Sequence, residues 1–268
     1  MYFLLGNLLL LLGSVAYLRL HGRDKRLKPF LLALTLTTPY NFAAMFALEG
    51  VERVRPYKLD LYVYRLDQYL GFQPSFVLGR LVQGHSFLNV PLEMVYQLLP
   101  IAMVLVFGGY LWRRSDREAM SLIPVFVLDV ALSIPFYLLV PVCGPVYAFP
   151  GFPSLPNGPV VPHPILLNGP PNGVPSIHFS TALLILWYSR KLPLGRWIGG
   201  AFLFLTAAAT MGLGEHYFFD LVASLPYAVM VYKTGNYAAL YAPRVSRYSA
   251  LAGRRIVELT RPGARRAA

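Results

Sequence analysis

Uninterrupted apolar runs, several of them near the roughly 20 residues that a helix needs to cross a hydrocarbon core, constrain this chain more than any other feature. Only 13% of the residues are charged, against roughly 25% in a soluble domain, and 56% are apolar, which excludes an ordinary water-soluble globule. The fold class expected is all-α, a polytopic transmembrane bundle of about seven spans. They run Met1 to Leu20, Pro29 to Leu48, Pro91 to Trp112, Ala119 to Val142, Pro175 to Leu192, Leu194 to Leu213 and His216 to Tyr232. The first run contains Ser14-Val15-Ala16, which has the look of a signal-cleavage site. No basic residue precedes its apolar stretch, so it reads as an uncleaved anchor. With the single Cys143 there is no internal disulfide and no cysteine metal site.

The net charge of +12 would suggest nucleic acid in a soluble chain, but here the basic residues sit in short clusters between apolar runs. Arg19, Arg23, Lys25, Arg26 and Lys28 follow the first run; Arg113, Arg114 and Arg117 follow the third; Arg190, Lys191 and Arg196 follow the fifth. The tail 233–268 holds most of the remaining basic residues. The positive-inside rule makes that side cytoplasmic, the N-terminus outside and the C-terminus inside. No nucleic-acid partner is expected. The location expected is a multi-pass one in a plasma membrane, that of a bacterium.

Residues 1–268 read as one integral-membrane domain, with no repeat and no soluble unit. Segment 49–90 mixes Glu49, Glu52, Asp60 and Asp67 with Arg53, Arg55, Lys58, Arg65 and Arg80. Apolar positions there recur at helical spacing, predicting one or two amphipathic helices lying in the interface. Segment 143–174 has no formal charge and is crowded with Pro and Gly, which predicts an irregular extracytoplasmic loop. Its Tyr147, Phe149 and Phe152 would rest on headgroups or cover a site.

An ionisable side chain inside a span is expensive, so each one carries a functional expectation. His178 opens the fifth span and Glu215, His216 and Asp220 open the seventh, all at the extracytoplasmic end by the orientation above. His216 and Asp220 are one turn apart on one helix face, so the carboxylate can hold one imidazole nitrogen and leave the other as a nucleophile or base. His178 can then donate a proton from the neighbouring helix. Both spans would present their N-terminal N–H groups to the same surface, which suits a phosphate. Ser176 is placed to cap the fifth span and to donate to a phosphate oxygen. Asp129 sits mid-span, as a bond to a neighbouring helix or as a headgroup contact, and Glu93 stands at the start of the third span. His163 reads as an ordinary loop residue.

Pro175-Ser176-Ile177-His178 and Gly214-Glu215-His216-Tyr217-Phe218-Phe219-Asp220 resemble the second and third motifs of the type 2 phosphatidic acid phosphatase superfamily, P-S-G-H and S-R-x5-H-x3-D. The resemblance implies a phosphohistidine at His216, orientation by Asp220, and His178 as acid and then base. The motif arginine is replaced by Thr210, after Ala209, and the motif glycine by Ile177. The first motif, K-x6-R-P, is met only as Lys58-x6-Arg65 followed by Leu66; Lys58 and Arg65 join Ser176, Glu215 and Asp129 as candidate substrate-binding residues. A phosphomonoester would want the missing cations, whereas a singly charged phosphodiester can be held by helix N-termini.

His216-Tyr217-Phe218-Phe219-Asp220 is also similar to H-Y-x-x-D of the inositol phosphorylceramide synthase and sphingomyelin synthase branch. Leu66-Asp67-Gln68-Tyr69-Leu70-Gly71 and the stretch from Pro141 to Tyr147 resemble inositolphosphotransferase sequences more weakly. The expectation is headgroup transfer from a phospholipid to a lipid alcohol, with no metal and no cofactor. The alternatives are a lipid phosphate phosphatase, acting on phosphatidic acid or a polyprenyl phosphate, and a non-catalytic lipid-binding or transport protein.

Overall fold

The structure is a computed structural model that describes residues 2–21, 27–113 and 116–260. Of the basic residues behind the expected orientation, Arg23, Lys25, Arg26, Arg114, Arg261, Arg265 and Arg266 lie outside the described residues. The chain is mostly helical. In order it forms α1 (Tyr2–His21), α2 (Leu27–Val54), β1 (Tyr57–Lys58), α3 (Asp60–Gln68), α4 (Pro74–Gln83), α5 (Ser86–Gln97) and α6 (Leu99–Trp112). There follow α7 (Asp116–Leu139), α8 (Pro145–Ala148), β2 (Ile165–Leu166), α9 (Ile177–Ser189), α10 (Gly195–Gly212) and α11 (Phe218–Thr260).

Helices stand at all seven places where the sequence predicts spans. By length and composition alone, one of them, Glu118–Leu139 within α7, is long and apolar enough to cross a membrane. The pair α5 and α6 makes a second if taken as one span, bent by 54°. The sequence predicts a single straight helix there, and Pro100 explains the break: it has no N–H for the carbonyl of Tyr96, and its ring crowds that carbonyl. The bend brings Tyr96 against His178, at the end of the bundle where the starts of α9 and α11 meet.

The main core joins α6, α7, α9 and α11 through Phe107, Tyr110, Leu122, Val125, Leu184, Tyr188, Tyr227 and Val231, all buried. Polar bonds tie the same helices. Asp129 of α7 accepts from Ser180 Oγ at 2.8 Å and Thr181 Oγ1 at 2.5 Å, both on α9, and its carbonyl accepts from the Tyr227 hydroxyl of α11. The Tyr110 hydroxyl donates to the Tyr188 carbonyl at 2.8 Å.

A second, smaller core sits at one end and holds Val63, Tyr64, Phe76, Val142, Phe149 and Tyr217. The segment expected to lie in the interface, 49–90, does contain two short helices, α3 and α4, but their apolar faces pack into this core. Segment 143–174 is irregular as expected apart from α8 and β2, and β2 pairs antiparallel with β1, Tyr57 opposite Leu166 and Lys58 opposite Ile165.

Removing the Asp129 carboxylate takes the acceptor from the buried Thr181 hydroxyl and leaves the Ser180 hydroxyl to the Ile177 carbonyl at 3.2 Å. Asp129→Ala should lower stability by about 1–2 kcal/mol, and Asp129→Asn by less, as read from thermal unfolding in detergent.

Candidate active site

Ser176 takes an extended conformation after Pro175, and its Oγ accepts the Phe179 N–H at 3.3 Å, so α9 starts here and carries His178 in its first turn. Across the site α10 ends and Gly214 turns the chain at φ +82°, a left-handed conformation that glycine adopts without strain. The N–H groups of Glu215 and His216 both donate to the Thr210 carbonyl, at 3.0 and 3.1 Å. This turn delivers His216 just ahead of α11, whose first turn contains Asp220.

His216 Nδ1 lies 3.3 Å from Asp220 Oδ2, and the same oxygen accepts the Tyr217 N–H at 2.8 Å. With Nδ1 held as the donor, Nε2 keeps its lone pair. The ring of His178 lies beside that of His216, with centroids 6.4 Å apart and planes tilted by 53°. Tyr96 of α5 stacks on the other side of His178, centroids 3.8 Å apart and planes at 14°.

Ser224, one turn beyond Asp220, couples the two helix starts. Its Oγ accepts the Ser176 N–H at 2.9 Å and lies 2.7 Å from the Asp220 carbonyl and 3.2 Å from the Ser176 carbonyl, either of which can take its one proton.

Two carboxylates of α3 hold the same region from the other side. Asp60 accepts from the N–H groups of Cys143 and Gly144, at 3.1 and 2.8 Å, and from the Tyr217 hydroxyl at 3.3 Å. Asp67 accepts from the N–H groups of Phe218 and Phe219 at 2.8 and 2.9 Å, capping α11. Both are buried, and burial pushes each carboxyl up to about 6 against the opposing pull of those N–H donors.

The loop after α7 roofs the site. Val146 N–H donates to the Gly214 carbonyl at 2.9 Å, and the Tyr147 hydroxyl to Glu215 Oε2 at 3.3 Å. Phe152 lies so close that a Cβ on Gly214 would come within 2.6 Å of its ring. Phe149 and Phe152 both pack against Phe76, and Phe152 reaches the Gly214 turn that carries His216. Under them His216 is 1% exposed, and Ser75 Oγ of α4 donates to its carbonyl at 2.9 Å.

Of the residues singled out from the sequence, His178, His216, Asp220, Ser176 and Glu215 come together at this one place. Glu215 stands beside His216, half-buried, its carboxyl raised by burial. Asp129 lies deeper, with both oxygens engaged by α9. Lys58 is fully buried, its ammonium bonded to the Arg55 carbonyl at 2.6 Å and near that of Pro56 at 3.5 Å. Arg65 projects from the exposed face of α3, opposite Asp60 and Asp67, and bonds Gln68 at 2.5 Å. The structure does not bring Arg65 to the histidines. Among the described residues, no group of three or more His, Cys, Asp or Glu side chains is placed to hold a metal ion.

One expectation is corrected. The sequence suggested that the N-termini of both histidine helices are open to a phosphate, but at α11 Asp67 occupies the N–H groups of Phe218 and Phe219. Only α9 keeps first-turn donors beside the histidines, those of Ile177 and His178, because Ser176 takes the N–H of Phe179. Sequence reasoning passed over Asp60, Asp67, Ser75, Tyr96 and Ser224 as site residues. The spacing of Asp60 and Asp67, two helical turns, did place both on the apolar face of α3 and was the available signal.

The sequence profile of the PAP2 superfamily matches residues 61–234, from α3 to the first third of α11. The chain belongs to the PAP2 superfamily. That match covers His178, His216, Asp220, Ser176, Ser224 and Asp67, begins one residue after Asp60, and leaves α1 and α2 outside. No curated protein and no solved structure was found to match the chain. Membership carries phosphatase or phosphotransferase activity in general, on a phosphorylated lipid-type substrate. Within the PAP2 frame, Thr210 stands where the third motif has arginine; it is buried in α10, its hydroxyl bonded to Ala207 and its carbonyl to the His216 turn.

A carboxyl whose pKa is raised on folding favours the folded state most when protonated, and that contribution is lost as pH rises from about 4 to about 6. Asp67→Asn cannot lose it. Relative to the wild type, the variant should therefore gain in melting temperature across that window and hold a constant difference above it, as read by thermal unfolding from pH 4 to 7.

Proposed function

We propose that the protein is a multi-pass membrane phosphotransferase that moves a phosphorylated headgroup from a phospholipid to a lipid alcohol through a phosphohistidine at His216. The observation that carries this reading is the pair of neighbouring imidazoles: His216 with Nδ1 on Asp220 and Nε2 available, and His178 with its ring centroid 6.4 Å away. Nε2 attacks phosphorus, the bond from phosphorus to the diacylglycerol oxygen breaks, and His178 gives that oxygen its proton. The acceptor hydroxyl then loses its proton to His178 and attacks phosphorus. The P–N bond breaks, its electron pair returns to Nε2, and both histidines are restored.

Two features favour transfer of a diester over hydrolysis of a monoester. Thr210 stands at the place of the motif arginine and Arg65 bonds Gln68 on the exposed face of α3, and the donors left to an anion are those of α9, a weak grip suited to one negative charge. The nucleophile is 1% exposed under Phe149 and Phe152, and excluding water is what makes a phosphohistidine a transferase. These features agree with the likeness of the His216 motif to the inositolphosphotransferase branch. Exposed Phe42, Met45 and Phe46 on α2, Trp197, Ile198 and Phe204 on α10, and Val222 and Leu225 on α11 are large apolar side chains that suit lipid contact. We read the chain as seven spans in a plasma membrane, N-terminus outside, C-terminus inside, and the site at the extracytoplasmic face.

Reconstituted with a panel of phospholipids, with and without a long-chain lipid alcohol, the protein should form a new phospholipid only when the alcohol is present. Free phosphate or free phosphorylated headgroup, formed equally without it, would identify a hydrolase. His216→Ala should lower turnover by about 10³-fold or more and abolish labelled phosphoenzyme; survival of both would remove the proposed nucleophile. The rate should be bell-shaped in pH, one limb from neutral His216 and one from protonated His178.

A further inference from the structure

Away from the roof, the histidine site has a second boundary. A cavity of about 400 Å³ lies between α1, α2, α6, α7 and the start of α9, within the size range of small-molecule sites. Its lining is almost entirely apolar, with Leu10 and Ala33 from α1 and α2, Met103 and Phe107 from α6, and Phe126 from α7. At one end the wall is His178 and Tyr96, the stacked pair of the catalytic site. His178 therefore belongs both to the wall of this cavity and to the catalytic pair.

The cavity follows α6 from Leu99 to Phe107, about 12 Å of helix rise, against about 15 Å for the hydrocarbon of one leaflet. Its outer wall comes from residues before 61, so α1 and α2 close over a site whose chemistry lies in the matched family region. A hydrocarbon chain attached to the reacting phosphoester has to leave the histidines in an apolar direction, and this is the apolar space that His178 borders.

Resting on the function proposed above, we infer that this cavity holds one hydrocarbon chain of the reacting lipid, and that α1 and α2 make the enzyme selective for chain length. The phosphoester lies at His178 and His216, and the chain runs along α6 beneath Ala33 and Leu10. A bulky residue at Ala33 shortens the space without touching the catalytic groups.

The test uses the full chain in phosphatidylcholine vesicles. Phosphatidic acid and phosphatidylglycerol, each with a diazirine midway along one chain, are photolysed with the His216→Ala protein, and adducts are mapped by mass. Adducts on α1, α2, α6 and α7 that excess unlabelled probe displaces support the inference. Adducts confined to the outer faces of α10 and α11, or not displaced, are those of bystander bilayer lipid and overturn it. In the second arm Ala33→Phe should raise KM several-fold for a long-chain substrate with kcat unchanged, and leave a short-chain, water-soluble analogue unaffected. An unchanged KM for the long chain, in protein that melts like the wild type, also overturns it. A wild type that turns over no phosphorylated lipid would defeat the proposed function instead, and displaced cavity adducts would still locate the chain.

Discussion

A carboxylate buried without a cation beside it persists only where N–H donors surround it, and the active end of this protein is organised by two such groups. Asp60 gathers the chain at Cys143 and Gly144 together with the Tyr217 hydroxyl, and Asp67 gathers the start of α11. Through them one short helix fixes both the loop that roofs the histidines and the helix that aims them. The arrangement has an electrostatic consequence. The positive end of α11 already faces a protein carboxylate, which leaves α9 as the histidine helix whose start is not capped by an acidic side chain.

The parts of the fold that were legible in the sequence are those that depend on local pattern. Apolar runs located the long helices, and the one-turn spacing of His216 and Asp220 gave their contact before any tertiary information. Ser176 was readable as a cap because a hydroxyl after Pro175 and before an apolar run meets a local need. Where sequence reasoning fell short, the cause was a partner far along the chain. Asp60 and Asp67 belong to an amphipathic pattern that suits an interfacial helix equally well, and nothing local says that their acceptor oxygens meet backbone donors more than 80 and 150 residues away. Lys58 and Arg65 had motif spacing, but β1 ends between them and α3 begins, so one is buried and the other exposed. The bend before α6 was missed, since Pro91 to Trp112 read as one span although Pro100 was the available signal, and its use, setting Tyr96 on His178, has no local signature.

The uncharged loop 143–174 illustrates how composition becomes structure. With no charged side chain to hydrate and many residues unable to extend a helix or a central strand, its aromatics take the available apolar surface on α3 and α4. Its far part is tied down by the β1–β2 pairing and by the Gly169 N–H donating to Glu52 at 3.0 Å. The loop is thus held at both ends, which keeps Phe152 over the Gly214 turn.

Ser224 joins the two histidine helices through a single hydroxyl placed between the backbone of Ser176 and that of Asp220. The spacing of the two imidazoles is therefore one mechanical variable: tilting or sliding α11 carries the start of α9 with it. A lineage altering the size of the group transferred would have to shift both helices as a unit or first break this joint, which channels such change toward the loop and the α5 side of the gap.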